Sequence, residues 1–204
     1  MRGRIVQPMT TPNNKTPILI AIGGLSGTGK STLARGIAAS LPDTVMIDSD
    51  VTRKEMFGVP ATERLPPECY SREASENLYA EMVRRTEKAL ADGKNVVVSA
   101  TFGFYTARTE QENIAKAAGA RFQGIWLQAK LDTLFDRVAK RTNDASDATV
   151  EILKKQAKYD QGIAFWPGIN ADQKPEDVLS QALVMLTPPA NPAAPRADKN
   201  GPAA

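Results

Sequence analysis

The segment from Gly24 to Ser31 constrains the fold more than any other part of the chain, and it reads Gly-Leu-Ser-Gly-Thr-Gly-Lys-Ser. It matches the pattern G-x-x-x-x-G-K-[ST], in which the glycines let the backbone curl so that successive N–H groups point at a phosphate. An apolar run at 18–22 precedes it, and residues 32–41 carry apolar side chains at helical spacing. A strand, a glycine loop and a helix in this order predict a phosphate-binding loop.

This loop predicts a nucleotide site and its cofactors, ATP and Mg²⁺. Lys30 would supply a mobile positive charge for the outer phosphates, and the Ser31 hydroxyl would be a ligand of Mg²⁺. The helix after the loop adds its positive N-terminal end. The predicted ATP-binding residues are Gly24, Leu25, Ser26, Gly27, Thr28, Gly29, Lys30, Ser31 and Thr32.

Apolar runs of strand character alternate with helical patterns along the rest of the chain. Further strands are predicted at 44–47, 95–98, 122–127 and 169–171, and further helices at 51–57, 71–92, 105–118, 131–140, 149–159 and 176–186. Regular alternation of this kind is typical of a parallel sheet covered by helices. The predicted fold class is therefore α/β, a three-layer P-loop NTPase sandwich with a mostly parallel five-stranded sheet and a helical lid.

The 204 residues are most simply one domain with extended ends. Residues 17–187 form the predicted domain, 1–16 a disordered N-terminal extension, and 188–204 a disordered tail rich in proline and alanine. The net charge of +3 is mild and the basic residues are spread out, which argues against a dedicated duplex-DNA binder. This charge distribution leaves nucleic acid possible only as a substrate.

Composition also limits the chemistry and the compartment. The chain has no histidine, so a catalytic base must be a carboxylate, a lysine or a tyrosine. A single cysteine excludes an internal disulfide and favours a reducing compartment. We find no apolar stretch of membrane-spanning length and no signal peptide, so we expect a cytoplasmic protein without a membrane partner.

The end of the second predicted strand supplies the candidate catalytic base. Asp50 follows this strand, and Arg53 lies one helical turn further on. A carboxylate here could accept the proton of an attacking hydroxyl, while the arginine could hold the acceptor molecule. The alternative is that Asp50 only caps the helix at Val51. Asp48 is a second candidate base, because strand alternation points it the same way as Asp50, but Asp50 lies nearer the helix and is preferred.

Two further groups of polar residues follow later strands. Ser99 and Thr101 lie after the third strand, where a hydroxyl could bind a substrate oxygen or a water on Mg²⁺. Arg137 and Arg141 are four residues apart on one helix face and precede a polar loop. A lid carrying these arginines could neutralise charge on a transferred phosphoryl group, although an exposed basic helix end is the alternative.

With these residues assembled, the chain resembles the small P-loop kinases of the zeta-toxin, gluconate-kinase and polynucleotide-kinase-like group. It is most similar to the bacterial kinase-like domain found alone or fused to aminoglycoside-phosphotransferase-like domains. The resemblance covers about 18–186 and rests on GLSGTGKST at 24–32, SDVTRKEMFG at 49–58, ATERLPPECYS at 61–71, NVVVSATF at 95–102 and RVAKRTNDASDA at 137–148.

The resemblance implies an ATP-dependent phosphotransferase acting on an alcohol group. Asp50 would be the base, Arg53 an acceptor contact, and Arg137 or Arg141 the lid arginines. The family usually has an aspartate where this chain has Ser99, which puts the handling of Mg²⁺ or of the acceptor in question. Two functions therefore remain open: a kinase for a small hydroxyl acceptor or a nucleic-acid end, and an ATP-binding or ATP-hydrolysing regulatory switch without a small acceptor.

Overall fold

The computed structural model describes residues 16–142, 144–158 and 165–187. The predicted terminal extensions lie outside this part of the chain, apart from Thr16. Strands and helices alternate through it as β1 (Ile18–Gly24), α1 (Lys30–Ser40), β2 (Thr44–Asp48), α2 (Ser49–Met56), a 3₁₀ turn (Pro67–Tyr70), α3 (Arg72–Ala91), β3 (Asn95–Ser99), α4 (Tyr105–Ala117), β4 (Arg121–Gln128), α5 (Leu131–Lys140), α6 (Val150–Lys158), β5 (Gly168–Asn170) and α7 (Pro175–Leu186).

The five described strands form one sheet in the order β2-β3-β1-β4-β5, and every neighbouring pair is parallel. The predicted α/β fold is thus confirmed, with a sheet that is fully parallel rather than mostly so. All seven residues of the central strand β1 are buried, as expected for a strand covered on both faces. This parallel arrangement brings the carboxyl ends of β1, β2 and β3 to one edge, where α/β proteins bind ligands.

Helices cover both faces of the sheet. Buried side chains of α1 and α7 pack on one face, and those of α3 and α4 pack on the other. The second face also holds Trp166, whose ring lies directly over Gly124 of β4, so that a Cβ atom at this glycine would stand 2.3 Å from the ring. No helix among the described residues is both long and apolar enough to cross a membrane.

The lid is a pair of helices, α5 and α6, with its own small apolar cluster. Leu134, Val138 and Leu153 are buried together, and Leu25 of the glycine loop packs against them. The lid therefore packs against the phosphate-binding loop through apolar side chains. Two helices begin two residues earlier than predicted: α1 at Lys30 rather than residue 32, and α2 at Ser49 rather than residue 51.

Candidate active site

Two adjoining cavities lie at the carboxyl edge of the sheet, on either side of the glycine loop. The first, of about 280 Å³, lies toward α7, and we refer to it as the α7-side cavity. The second, of about 220 Å³, lies toward α2 and α3, and we refer to it as the α2-side cavity. Gly27, Gly29, Thr32 and Arg141 line both, so one elongated ligand could occupy the two cavities together.

The glycine loop has the conformation that phosphate binding requires. Gly24, Gly27 and Gly29 have φ angles of 140°, 87° and 90°, in the left-handed region that residues with a side chain rarely adopt. A Cβ atom at Gly29 would meet nothing within 4 Å and would project into the cavities that this residue lines. The Thr28 hydroxyl donates to the Leu25 carbonyl at 2.8 Å and holds the loop closed.

Lys30 begins α1 and folds back over the loop. Its Nζ donates to the Leu25 carbonyl oxygen at 2.9 Å. Burial lowers the pKa of Lys30 to about 8, and Asp50 and Asp48 oppose this shift by favouring the charged amine. Arg141 is close enough to lower the same pKa. The lysine and this arginine therefore form a cationic pair beside the loop, suited to a polyanion.

Asp48, at the end of β2, is the best-connected carboxylate of the site. It is buried, and its Oδ2 accepts hydrogen bonds from the hydroxyls of Ser31 and Ser99, each at 2.7 Å. Its Oδ1 accepts from the backbone N–H groups of Asp50 and Val51, at 3.0 and 3.3 Å, which caps the N-terminus of α2. Capping, the alternative role considered for Asp50, therefore belongs to Asp48.

Ser31 and Asp48 together fit a Mg²⁺ site. Their oxygens lie 2.7 Å apart, Ser31 lines the α2-side cavity with Asp48 buried directly behind it, and Mg²⁺ prefers hard oxygen ligands. Within the described residues no group of three or more acidic or cysteine side chains could enclose a metal ion. Mg²⁺ usually keeps water and substrate phosphates as its remaining ligands, so it needs few oxygens from the protein.

Asp50 lies in the α2-side cavity together with Lys30 and Ser31. Its side chain has no capping role, because α2 already begins at Ser49 and is capped by Asp48. Burial and then the charge of Asp48 raise the pKa of Asp50, while a hydrogen bond from the Ser146 side chain partly opposes the rise. A carboxylate whose pKa is raised is a stronger proton acceptor than an exposed one.

Arg53 is buried and lines the same cavity, but its guanidinium is largely engaged by the protein. Nη1 donates to the Cys69 carbonyl at 2.7 Å, Nη2 donates to the Ser75 hydroxyl at 3.4 Å, and the group lies 4.8 Å from the centre of the Tyr70 ring. The arginine is held rigidly beside Asp50, with part of its donor capacity left for a ligand.

The structure separates Ser99 from Thr101. The Ser99 hydroxyl is buried and donates to Asp48, so it orients that carboxylate from behind and does not line either cavity. Thr101 lines the α2-side cavity, where its side chain is hydrogen-bonded to Tyr79, and its carbonyl accepts from Gly24 N at 3.3 Å. Of the two, only Thr101 is placed to meet an acceptor.

The two predicted lid arginines also have different positions. Arg137 Nη2 donates to the Ala171 carbonyl at 2.9 Å, and Nη1 makes a longer contact with the Gly27 carbonyl at 3.4 Å. It lines only the α7-side cavity of the two beside the loop. Arg141 lines both of them and pairs with Asp144 at 3.6 Å. Of the two arginines, Arg141 is therefore the one that lies beside both cavities.

Sequence reasoning did not identify two residues that shape the site, Lys54 and Gln156. Lys54 is buried beside Arg53 and forms an ion pair with Asp147 at 3.1 Å. Gln156 of α6 accepts a hydrogen bond from Ser26 N at 3.1 Å. Burial of a lysine directly after an arginine has no sequence signal of its own. Asp147 did lie within a motif of the resemblance, but its partner is 93 residues away.

Comparison with known proteins agrees with this geometry. The AAA domain family AAA_33 matches residues 19–161. The chain belongs to this family. An uncharacterised protein of Mycobacterium tuberculosis is 32% identical over 153 residues, covering 71% of this chain and 30% of that protein. The chain thus spans less than a third of this relative's length. A shikimate kinase of Zymomonas mobilis is 29% identical over 185 residues, covering 88% of this chain and 99% of the kinase.

Solved structures show the same fold at low sequence identity. A gluconokinase from Sinorhizobium meliloti superposes with a TM-score of 0.59 at 21% identity, covering 85% of this chain and 93% of the kinase. A shikimate kinase from Bacteroides thetaiotaomicron gives a TM-score of 0.55 at 20% identity, covering 83% of this chain and 98% of the kinase. The family match and these neighbours place the chain in the P-loop kinase-like group predicted from the motifs.

Proposed function

We propose that this chain is a kinase that transfers the γ-phosphoryl group of ATP to a hydroxyl group of a small molecule. The observation that carries the proposal is the position of Asp50. This half-buried carboxylate, free of any capping role, shares one cavity with Lys30, Ser31 and Arg141. Hydrolysis of ATP would also use a carboxylate at this place, but it needs room only for a water molecule, whereas the cavity beside Asp50 is large enough for a small acceptor.

The residues divide the work of phosphoryl transfer between them. The glycine loop and Lys30 hold the β- and γ-phosphates, and Ser31 and Asp48 would hold Mg²⁺, which supplies charge neutralisation between the phosphates when bound. The α7-side cavity, with Arg137 on its wall, would take the adenosine part of ATP. Arg141 lies where it can stabilise negative charge on the transferred group.

Asp50 would act as the general base. The acceptor oxygen attacks the γ-phosphorus while Asp50 takes its proton, the new O–P bond forms, and the bond to the departing ADP breaks. The raised pKa of Asp50 suits a general base, because proton transfer is most effective when the pKa of the base approaches the working pH. Arg53, held rigidly by Cys69 and Ser75, would orient the acceptor.

The lining of the α2-side cavity supports a compact acceptor with several hydroxyl groups. Five hydroxyl-bearing side chains surround the space beside Asp50, namely Ser49, Tyr70, Tyr79, Thr101 and Ser146. The cavity is about 220 Å³, and part of it must hold the γ-phosphate. The named kinases among the relatives act on small molecules, as shikimate kinase and cytidylate kinase illustrate, and this supports a small-molecule acceptor here.

The test is transfer of labelled γ-phosphate from ATP, with Mg²⁺, to pooled acceptors. The pool would contain sugars, sugar acids, cyclitols, nucleosides, aminoglycosides and 5′-hydroxyl oligonucleotides. We expect a labelled small molecule, an Asp50→Asn variant slower by about 100-fold or more with unchanged affinity for ATP, and a Lys30→Ala variant that loses ATP binding. Asp43→Asn, an exposed aspartate in the loop before β2, is the matched control and should behave as the wild type.

Three results would contradict the proposal in whole or in part. If Asp50→Asn transferred phosphate at the wild-type rate, another residue would be the base. If ATP bound and was hydrolysed while no acceptor in the pool was labelled, a nucleotide-dependent switch would be the better description. A labelled oligonucleotide without any labelled small molecule would keep the kinase chemistry but overturn the acceptor class.

A further inference from the structure

The lid segment from Arg141 to Gln156 contacts both ends of the α2-side cavity. Gln156 accepts a hydrogen bond from Ser26 N in the glycine loop, at 3.1 Å, and Arg141 lines both cavities beside that loop. Between these two residues, Ser146 lines the α2-side cavity together with Asp50, and its side chain lowers the pKa of that carboxyl group. One stretch of the lid therefore bonds to the phosphate-binding loop and lines the cavity of the proposed base.

Asp147 extends these contacts to the far wall of the cavity. Its Oδ1 pairs with Lys54 Nζ at 3.1 Å, and its Oδ2 accepts from Leu65 N at 2.9 Å and from the Tyr70 hydroxyl at 2.6 Å. Burial favours the neutral acid, but the bonds from Leu65, Tyr70 and Lys54 outweigh it and hold the pKa of Asp147 below its usual range. The Tyr70 ring in turn lies under the Arg53 guanidinium, at 4.8 Å.

We propose that Asp147 is a positioning residue that couples nucleotide binding at the glycine loop to assembly of the acceptor pocket. This inference rests on the proposed function, since it requires ATP at the loop and an acceptor beside Asp50. A nucleotide held by the loop and Arg141 would fix the lid segment. Asp147 would then fix Lys54 of α2 and Tyr70, and through Tyr70 the orientation of Arg53.

The chemistry of the contact between Asp147 and Lys54 suits an interaction that can break and form again as the lid moves. Lys54 is 1% exposed, and the Asp147 side chain is 10% exposed. A buried ion pair contributes little net stability compared with well-packed apolar side chains, because both charges lose their hydration. When the lid moves away, however, both charges can regain water, which allows the two surfaces to separate. Polar groups of this kind suit a surface that must open for the acceptor to enter.

The test is amide hydrogen exchange of the full chain, with Mg²⁺ and with or without a non-hydrolysable ATP analogue. In the wild type we expect the analogue to slow exchange across 59–70 by about tenfold, although this segment lies on the acceptor side. In Asp147→Asn, which can still accept from Leu65 N, we expect analogue affinity within about threefold of wild type and no analogue-dependent protection of 59–70. Asp136→Asn, at an exposed i,i+4 pair with Lys140, is the matched control and should keep the protection.

A second variant separates coupling from simple destabilisation. Lys54→Met should lose the same protection, and the Asp147→Asn/Lys54→Met double variant should lose no more than either single variant, because both act through one contact. Faster exchange throughout the sheet, or protection of 59–70 that survives in Asp147→Asn, would overturn the inference. Failure to bind the analogue would overturn the proposed function as well, whereas binding without Asp147-dependent protection would overturn this inference alone.

Once the pooled assay identifies an acceptor, the same variant gives a kinetic readout. Asp147→Asn should raise KM for the acceptor by about tenfold while KM for ATP stays within about threefold. Equal changes in both KM values would mean that Asp147 only maintains the fold. The exchange experiment decides the coupling whether or not an acceptor has been found.

Discussion

Replacing Asp48 by asparagine should separate the structural role of this residue from its role in binding Mg²⁺. Four hydrogen bonds converge on its carboxylate, two from backbone N–H groups of α2 and two from the hydroxyls of Ser31 and Ser99. Asparagine caps helices about as well as aspartate, so its oxygen can keep both backbone bonds. Its NH₂ group can donate to the two hydroxyls, which can turn to accept.

The structural cost of Asp48→Asn should therefore be small. A hydrogen bond to a charged group contributes about 1 kcal/mol more than a neutral one, and two such bonds, from Ser31 and Ser99, become neutral. Relief of the repulsion between Asp48 and Asp50 offsets part of this loss, because the charge of Asp48 raises the pKa of Asp50. We expect a decrease of about 1–2 kcal/mol in the free energy of unfolding, measured by urea denaturation.

The effect on Mg²⁺ should be much larger than the effect on the fold. Loss of the charge next to Ser31 should raise the Mg²⁺ concentration needed for half-maximal binding of an ATP analogue by about 10- to 100-fold. Ser99→Ala removes one hydrogen bond that orients Asp48 but leaves its carboxylate in place, so this variant should lose comparable stability and raise the Mg²⁺ requirement less than Asp48→Asn does. If Asp48→Asn needed the same Mg²⁺ concentration as the wild type, the assignment of Asp48 to the metal site would be refuted.

Three further predictions follow from the site and the core. The pKa of Lys30 is lowered to about 8. Because phosphates bind the charged amine, affinity for an ATP analogue should be highest below pH 8 and fall by up to about tenfold per pH unit above it. The affinity of the Lys30→Arg variant should not depend on pH in this range. Arg137→Met should mainly raise the Kd of the analogue, measured by fluorescence titration, and Arg141→Met should mainly lower turnover, by about 100-fold. Equal effects of these two variants would contradict their separate positions. Gly124→Ala places a Cβ atom 2.3 Å from the Trp166 ring and should cost about 3 kcal/mol in urea denaturation, whereas Gly103→Ala, with nothing within 4 Å, should be neutral or slightly stabilising.

Most of the fold could be predicted from local pattern, because each strand and helix carries its own periodicity. The starts of α1 and α2 could not, since both begin with functional rather than apolar residues. Lys30 and Ser31 lie in the first turn of α1, and Ser49 and Asp50 in the first turn of α2. Apolar spacing says nothing about such turns, and these are the turns that carry the site.

The choice of Asp48 as a second candidate base rested on an assumption about the backbone that the structure does not meet. Alternation along an extended segment would have pointed both side chains the same way. Strand β2 ends at Asp48, however, and α2 begins at the next residue. Asp48 therefore turns back to cap the helix while Asp50 faces the cavity, which gives the two carboxylates different partners and supports different roles for them.

The contacts that close the lid were beyond sequence reasoning for a different reason. The bond between Gln156 and Ser26 joins residues 130 positions apart, and the pair between Asp147 and Lys54 spans 93. Each of these side chains reads locally as an ordinary exposed helix or loop residue. Only the arrangement of α2, the glycine loop and the lid around one cavity brings them together.

The serine at position 99 is better explained by its neighbour than as a lost catalytic group. In the parallel register of β2 and β3, Asp48 lies directly beside Ser99, and the two side chains are hydrogen-bonded at 2.7 Å. An aspartate at position 99 would put a second carboxylate against a buried one, and at such a spacing one of the two would have to remain protonated. A hydroxyl instead donates to Asp48, to the same Oδ2 atom that accepts a hydrogen bond from Ser31. We infer that the acidic group for Mg²⁺ has not been lost from this chain but stands on the adjacent strand, with Ser99 as the residue that orients it.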